Sequence, residues 1–189
     1  MEKLFADLPG QIPAAILCVL HIGPYPSQLP SILNRYSFLQ AHFAKQGELI
    51  RPGEIYVAPP DHHLLVRRSY IALSRGPRMN WSRPAIDPLF ASAAKTYGRS
   101  VVGVLLTGRL NDGTAGLYEV KRHGGISIVQ DPNDAICPDM PSSALKRVAV
   151  DHCVAMADMP RILLQVCKDV ATRSKELSRV TGTGGPSHA

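Results

Sequence analysis

A histidine and an aspartate, each placed just after an apolar run, are the residues of this chain whose types and spacing could do chemistry. Residues 14–20 are apolar, His21 follows, and Gly23-Pro24 breaks the run soon after. Residues 101–106 are apolar and β-branched, and the turn Thr107-Gly108-Arg109-Leu110-Asn111-Asp112-Gly113 comes next. A neutral imidazole at a strand end can serve as a general base. A carboxylate in a glycine-held turn can orient that imidazole and stabilise its charged form. The two make up two thirds of a hydrolytic triad, with the nucleophile outstanding. Each also has a structural reading. His21 can be a satisfied structural histidine, and Asp112 can cap the helix that follows. Asn111-Asp112-Gly113 also favours a tight turn without any catalysis.

These residues need elements to hold them. The spacing predicts strands over 14–20, 54–58, 101–106, 126–130 and 153–157, with a small hairpin over 64–66 and 71–74. It predicts helices over 2–8, 29–36, 84–97, 114–123, 142–147 and 160–177. Strands alternating with helices argue for an α/β fold with a doubly wound, mostly parallel sheet of the Rossmann-like kind. In such sheets ligands and chemistry gather at the carboxyl ends of the strands, where His21 and Asp112 lie.

The chain has 189 residues, 45% hydrophobic and 19% charged, which fits one domain over residues 1–177. Residues 178–189 are polar and Gly-rich, and are expected to be a disordered tail. No apolar run approaches the roughly 18 residues needed to span a bilayer, so no membrane insertion is expected. Residues 12–22 include a histidine and lack a basic flank, and so read as a buried strand and not a signal peptide. Cys18, Cys137, Cys153 and Cys167 form no CxxC pair. They read as inert thiols in a reducing compartment, the cytoplasm. His62 and His63 are adjacent, so on a strand they point to opposite faces and make a poor metal site. Neither a dinucleotide fingerprint nor a Walker loop is present, and no cofactor or metal is expected. The net charge of +6 is spread over residues 168–179, Arg67-Arg68 and Arg75, Arg78 and Arg83, without aromatic interleaving. That points to a solvated basic face or to acidic partners, and away from nucleic acid.

Several blocks, in order, resemble the catalytic domain of the chemotaxis protein-glutamate methylesterases of the CheB type. They are Val19-Leu20-His21-Ile22, Gly47-Glu48, residues 52–63 (PGEIYVAPPDHH), residues 83–90 (RPAIDPLF), residues 102–108 with Asn111-Asp112-Gly113, Gln130-Asp131-Pro132, and Met140-Pro141-Ser142-Ser143-Ala144. The resemblance covers roughly residues 5–170. It implies a serine hydrolase that removes methyl esters from glutamate side chains of chemoreceptors, releasing methanol, and that can deamidate particular glutamines. It implies His21 as general base and Asp112 as its orienter. It puts Arg109, Asn111 and Arg83 on the oxyanion and substrate side, where a backbone N–H at Arg109-Leu110 could serve. The implied partners are a methylated chemoreceptor as substrate and a receptor methyltransferase.

One part of the pattern is missing. The family nucleophile is a serine in a Gly-rich elbow, after a first strand that precedes the histidine. None of the twenty residues before His21 is a serine. Ser27 and Ser31 come after it and are poor substitutes. The expectation is a domain whose first strand and elbow lie upstream of Met1. Strand edges would then be left without their neighbour. The alternative is a catalytically inactive module that binds a receptor or methyltransferase.

Overall fold

A computed structural model describes residues 2–181. Its elements, in order, are α1 (Glu2–Ala6), β1 (Ile16–Cys18), α2 (Leu29–Tyr36), β2 (Gln40–Phe43), β3 (Glu54–Val57), β4 (His63–Arg67), β5 (Tyr70–Ser74), α3 (Ile86–Tyr97), β6 (Val102–Leu105), α4 (Thr114–Arg122), β7 (Ile126–Gln130), α5 (Asp139–Arg147), β8 (His152–Val154) and α6 (Met159–Thr181). The class is α/β, as the alternation of patterns predicts.

The parallel strands form two half-sheets, ordered β1-β3-β2 and β6-β7-β8. In the first, Ile16 pairs with Ile55 and Gln40 with Glu54; in the second, Val102 pairs with Ile126 and Ile128 with His152. β4 and β5 form a separate antiparallel hairpin. Burial separates central strands from edges. Ile55, Tyr56 and Val57 of β3 are buried in succession, as are residues 127–130 of β7, so helices or loops cover both faces there. β1 is only half-buried along its length, and β6 alternates between half-buried and buried. Among the described residues β1 has one strand neighbour, β3, and β6 has one, β7.

One apolar cluster nevertheless spans both half-sheets. Ile16 and Cys18 of β1, Val102 and Val104 of β6, and Leu163, Val166, Cys167 and Val170 of α6 all belong to it. The α6 residues recur at three- and four-residue spacing, the stripe an amphipathic helix lays on a sheet. Each such side chain contributes about 1.5–3 kcal/mol of burial. The opposite face is covered by α3 and the hairpin over β3, and by α4 and α5 over β6 and β7. His21 and Asp112 follow the carboxyl ends of β1 and β6, two strands whose side chains belong to this same apolar cluster.

Several elements differ from expectation. β2 lies in a stretch where no strand was expected; its Gln40 is exposed and Ala41 buried, an alternation too short to stand out. α5 begins at Asp139, three residues early, because Pro141 sits in the first turn, where no N–H bond is required. β1 and β8 are shorter than predicted. α6 continues to Thr181, past the expected start of the tail; residues 182–189 lie outside the described residues. No described helix is long and apolar enough to cross a membrane.

Candidate active site

β1 delivers His21 and the turn after β6 delivers Asp112, ninety-one residues later. Their side chains meet at 2.6 Å, His21 Nε2 against Asp112 Oδ2. Asp112 is buried, whereas about a third of the His21 side chain is open to solvent. Asp112 is held at this position by its own turn. Gly113 has φ +88°, and a Cβ there would meet Leu105 and Ile86 side-chain atoms at 2.5 and 3.0 Å, so only glycine fits.

Backbone N–H groups surround the carboxylate. Ile86 N–H donates to Oδ2 at 2.7 Å, and Asp87 and Gly113 N–H donate to Oδ1 at 3.2 and 3.0 Å. Asn80 Nδ2 donates to Oδ1 at 2.7 Å. Burial pushes the Asp112 carboxyl up, but hydrogen bonds from His21, Ile86, Asn80 and Asp87 together outweigh it and hold the group below the usual carboxylate value. An ionised carboxylate only accepts, so Nε2 is the His21 nitrogen that donates to it. Nδ1 has no hydrogen-bond partner among the described residues. An imidazole oriented in this way has the geometry that general-base chemistry requires.

Two residues of this network escaped the sequence reading. Asn80 lies between the elements the spacing predicts, and Asp87 lies near the start of the predicted helix over 84–97, with no local pattern marking either. Asn80 Nδ2 also donates to Asp87 Oδ2 at 2.8 Å, and Gly116 N–H donates to Asp87 Oδ1 at 2.7 Å. Burial drives the Asp87 carboxyl upward, the bonds from Gly116 and Asn80 oppose that, and the nearby Asp112 charge reinforces it; the net direction is up. Asn80 has φ +49°, a left-handed backbone that asparagine tolerates better than most residues.

The remaining candidates divide. Arg83, expected on the substrate side, is occupied elsewhere. Its Nε and Nη2 donate to Asp61 Oδ1 at 3.0 and 2.6 Å, and its Nη1 donates to the carbonyls of Arg75 and Gly76 at 2.9 and 2.8 Å. It ties down the loop that carries Asn80. A sequence shows the charge of an arginine but not the carbonyls it will meet. Arg109 and Asn111 are exposed in the Asp112 turn, and the Arg109 N–H has no acceptor among the described residues. Leu110, between them, holds φ +65°. His62 and His63 diverge. His62 Nδ1 meets the Pro60 carbonyl while Nε2 accepts from Arg75, and His63 sits between the Pro77 carbonyl and the Ala85 N–H. Ser27 Oγ accepts from Leu29 N–H at 3.2 Å at the start of α2.

Comparison with known proteins agrees with this geometry. The CheB methylesterase family model matches residues 1–163. A protein-glutamate methylesterase/protein-glutamine glutaminase of Burkholderia lata is 37% identical over 185 residues, covering 95% of this chain and 50% of its own length. A similarly named putative enzyme of Leptospira interrogans is 35% identical, over 88% of this chain and 87% of its own. One from Pyrococcus abyssi is 34% identical over 86% of this chain, which spans only 46% of that relative. The crystal structure of the Thermotoga maritima CheB methylesterase catalytic domain superposes with TM-score 0.81 at 30% identity, over 87% of this chain and 90% of that one. A parallel α/β architecture, a buried aspartate oriented onto a strand-end histidine, and these matches lead to one conclusion: the chain belongs to the CheB methylesterase family, as a catalytic domain of that type.

Proposed function

We propose that this domain hydrolyses γ-methyl esters of glutamate on methyl-accepting chemoreceptors, and deamidates selected glutamines, by serine acyl transfer in the cytoplasm. The free Nδ1 of His21 carries this reading. It is a general base, oriented through Nε2 by a buried Asp112, with nothing bonded where a nucleophile would donate.

The serine arrives on a strand between β1 and β6. Three features support that placement. β1 and β6 each have one strand neighbour among the described residues. Both contribute to a single apolar cluster. The base and its orienter stand at their carboxyl ends, so a parallel strand between them would end beside Nδ1. None of the twenty residues before His21 is a serine, so the serine of this reading is not among them.

The steps then follow. The serine hydroxyl loses its proton to His21 Nδ1 as its oxygen bonds to the ester carbonyl carbon. Asp112 stabilises the imidazolium through the bond at Nε2. The Arg109 N–H is the candidate donor to the developing oxyanion. The tetrahedral adduct collapses, and the methoxy oxygen takes the proton from Nδ1 and leaves as methanol. Water gives a proton to the same nitrogen as its oxygen attacks the acyl carbon, and the serine oxygen takes that proton back as its bond breaks and glutamate is freed. With a glutamine side chain the leaving group is ammonia.

Methanol release from methylated receptor tests this. Protein purified from its source cells should release methanol and lose that activity with His21→Ala, and the 189-residue chain alone should release none. His21-dependent release by the 189-residue chain would overturn the placement of the serine. No release by the source-cell protein would overturn the hydrolase reading and leave a non-catalytic docking module.

A further inference from the structure

We infer that Asn80 and Asp87 are positioning residues that act through Asp112, forming an outer relay that locks the carboxylate toward His21. The inference rests on the base-and-orienter reading of His21 and Asp112, but not on where the serine comes from.

The stoichiometry is the first argument. One amide nitrogen carries two hydrogens. Asn80 Nδ2 lies 2.7 Å from Asp112 Oδ1 and 2.8 Å from Asp87 Oδ2, so each hydrogen has its own carboxylate. A hydroxyl offers a single donor, and an apolar side chain none. Of the Asp112 contacts on Oδ1, Asn80 is the shortest; the Asp87 and Gly113 N–H groups stand at 3.2 and 3.0 Å.

The second argument is the anchoring of the relay. Asp87 is 9% exposed and has no role in the chemistry described above. Its Oδ1 accepts the Gly116 N–H in the first turn of α4 while its own N–H donates to Asp112. One residue thus joins α3, α4 and the catalytic turn. Asn80 is presented by a loop with few degrees of freedom. Met79 and Ser82 exchange both backbone bonds at 3.1 and 2.9 Å, Arg83 is spent on Asp61 and two carbonyls, and His63 bonds the Pro77 carbonyl.

The third argument is charge. Two buried carboxylates share one donor, so removing the amide leaves like charges facing each other with fewer compensating bonds. Either Asp87 then takes a proton and turns its O–H toward Asp112, or Asp112 rotates. Both change the acceptor that His21 Nε2–H sees. The relay therefore holds the orienter ionised and in plane, and a merely structural pair would leave His21 unaffected.

The test is nitrogen-15 and proton NMR of histidine-labelled 189-residue protein, comparing wild type with Asn80→Leu, Asn80→Ser and Asp87→Asn. The wild type should give a single Nε2–H tautomer at His21, with a downfield proton that exchanges slowly. In each folded variant that proton should exchange at least tenfold faster, and the Nδ1–H tautomer should become visible. Asp151→Asn, which weakens the distant Lys121 pair, should leave both signals unchanged. Asn80→Ser and Asp87→Asn change little volume and provide the decision if Asn80→Leu fails to fold. A wild-type exchange rate and tautomer in folded Asn80→Ser and Asp87→Asn would overturn the inference. The readout involves no hydrolysis. Its failure would leave the proposed reaction standing, and a failure to release methanol would leave the relay standing.

Discussion

Gly116→Ala pits two effects of opposite sign against each other at the point where α3 and α4 hold the site. Gly116 lies within α4, where alanine is favoured over glycine by about 1 kcal/mol. A Cβ there would stand 2.6 Å from Phe90 Cβ, 2.9 Å from the Asp87 carbonyl oxygen and 3.0 Å from Asp87 Cα. Non-bonded carbons prefer about 3.5–4.0 Å, so α3 would have to move by roughly 1 Å. Two of the three atoms are backbone and cannot swing aside. Overpacking of this kind costs about 1–3 kcal/mol. Moving Asp87 also stretches its 2.7 Å bond from Gly116 N–H, which adds about 1–3 kcal/mol for a buried group left poorly paired. Against the propensity gain the net is a loss of about 1–5 kcal/mol, with a central value of about 3 kcal/mol. At about 2–4 °C per kcal/mol for a domain of this size, the melting temperature should fall by about 6–12 °C. Urea denaturation followed by circular dichroism measures this, with Ala115→Gly as a propensity-only control. A Gly116→Ala protein at least as stable as wild type would refute the tight approach of the two helices.

Other substitutions and conditions have expected outcomes of their own. Asp112→Asn turns an amide toward donors that now meet a carboxylate, and should cost about 2–4 kcal/mol in urea denaturation and abolish the downfield His21 proton. Leu110→Gly relieves a left-handed leucine worth about 1–2 kcal/mol and gives back about 0.5–1 kcal/mol in unfolded-state entropy, so stability should rise slightly; a fall would show that the exposed Leu110 side chain makes a contact that matters. Acid should destabilise the fold with a definite sign. Asp112 and Asp151 lie below the usual carboxylate value when folded, Asp151 because Lys121 and Ser127 bonds outweigh its burial. Their contribution is complete above the unfolded value of 3.8 and is lost as pH falls through the lower folded values. Asp87 runs the other way, since its raised value makes protonation favour the folded state as pH falls. Stability measured from pH 7 down to about pH 3 should drop most steeply below about pH 4, and less steeply in Asp151→Asn; equal slopes would remove Asp151 from the account.

His21 and Asp112 were legible because strand ends are marked locally, by an apolar run and a glycine or proline break. β7 (Ile126–Gln130) was legible to the residue for the same reason, and α2 (Leu29–Tyr36) because Pro30 marks its first turn. Asn80 was not, because its role depends on a loop folded by Arg83, His63 and a Met79–Ser82 bridge, all tertiary. The partners of Arg83 were not legible, because its charge is visible in a sequence, whereas the Asp61 carboxylate and two carbonyls that it meets are not. The strand Gln40–Phe43 hid behind polar Gln40 and His42; its pairing with β3 makes it a strand. That β1 and β6 each have one strand neighbour among the described residues is a property of sheet order, which no local pattern encodes.

Fluorophosphonate labelling of the protein purified from its source cells, followed by peptide mapping, tests the central claim most directly, since the probe reacts only with an activated serine. The account predicts one labelled serine outside residues 1–189, with labelling lost in His21→Ala. Label on any serine within residues 1–189, or unchanged labelling in His21→Ala, would contradict it.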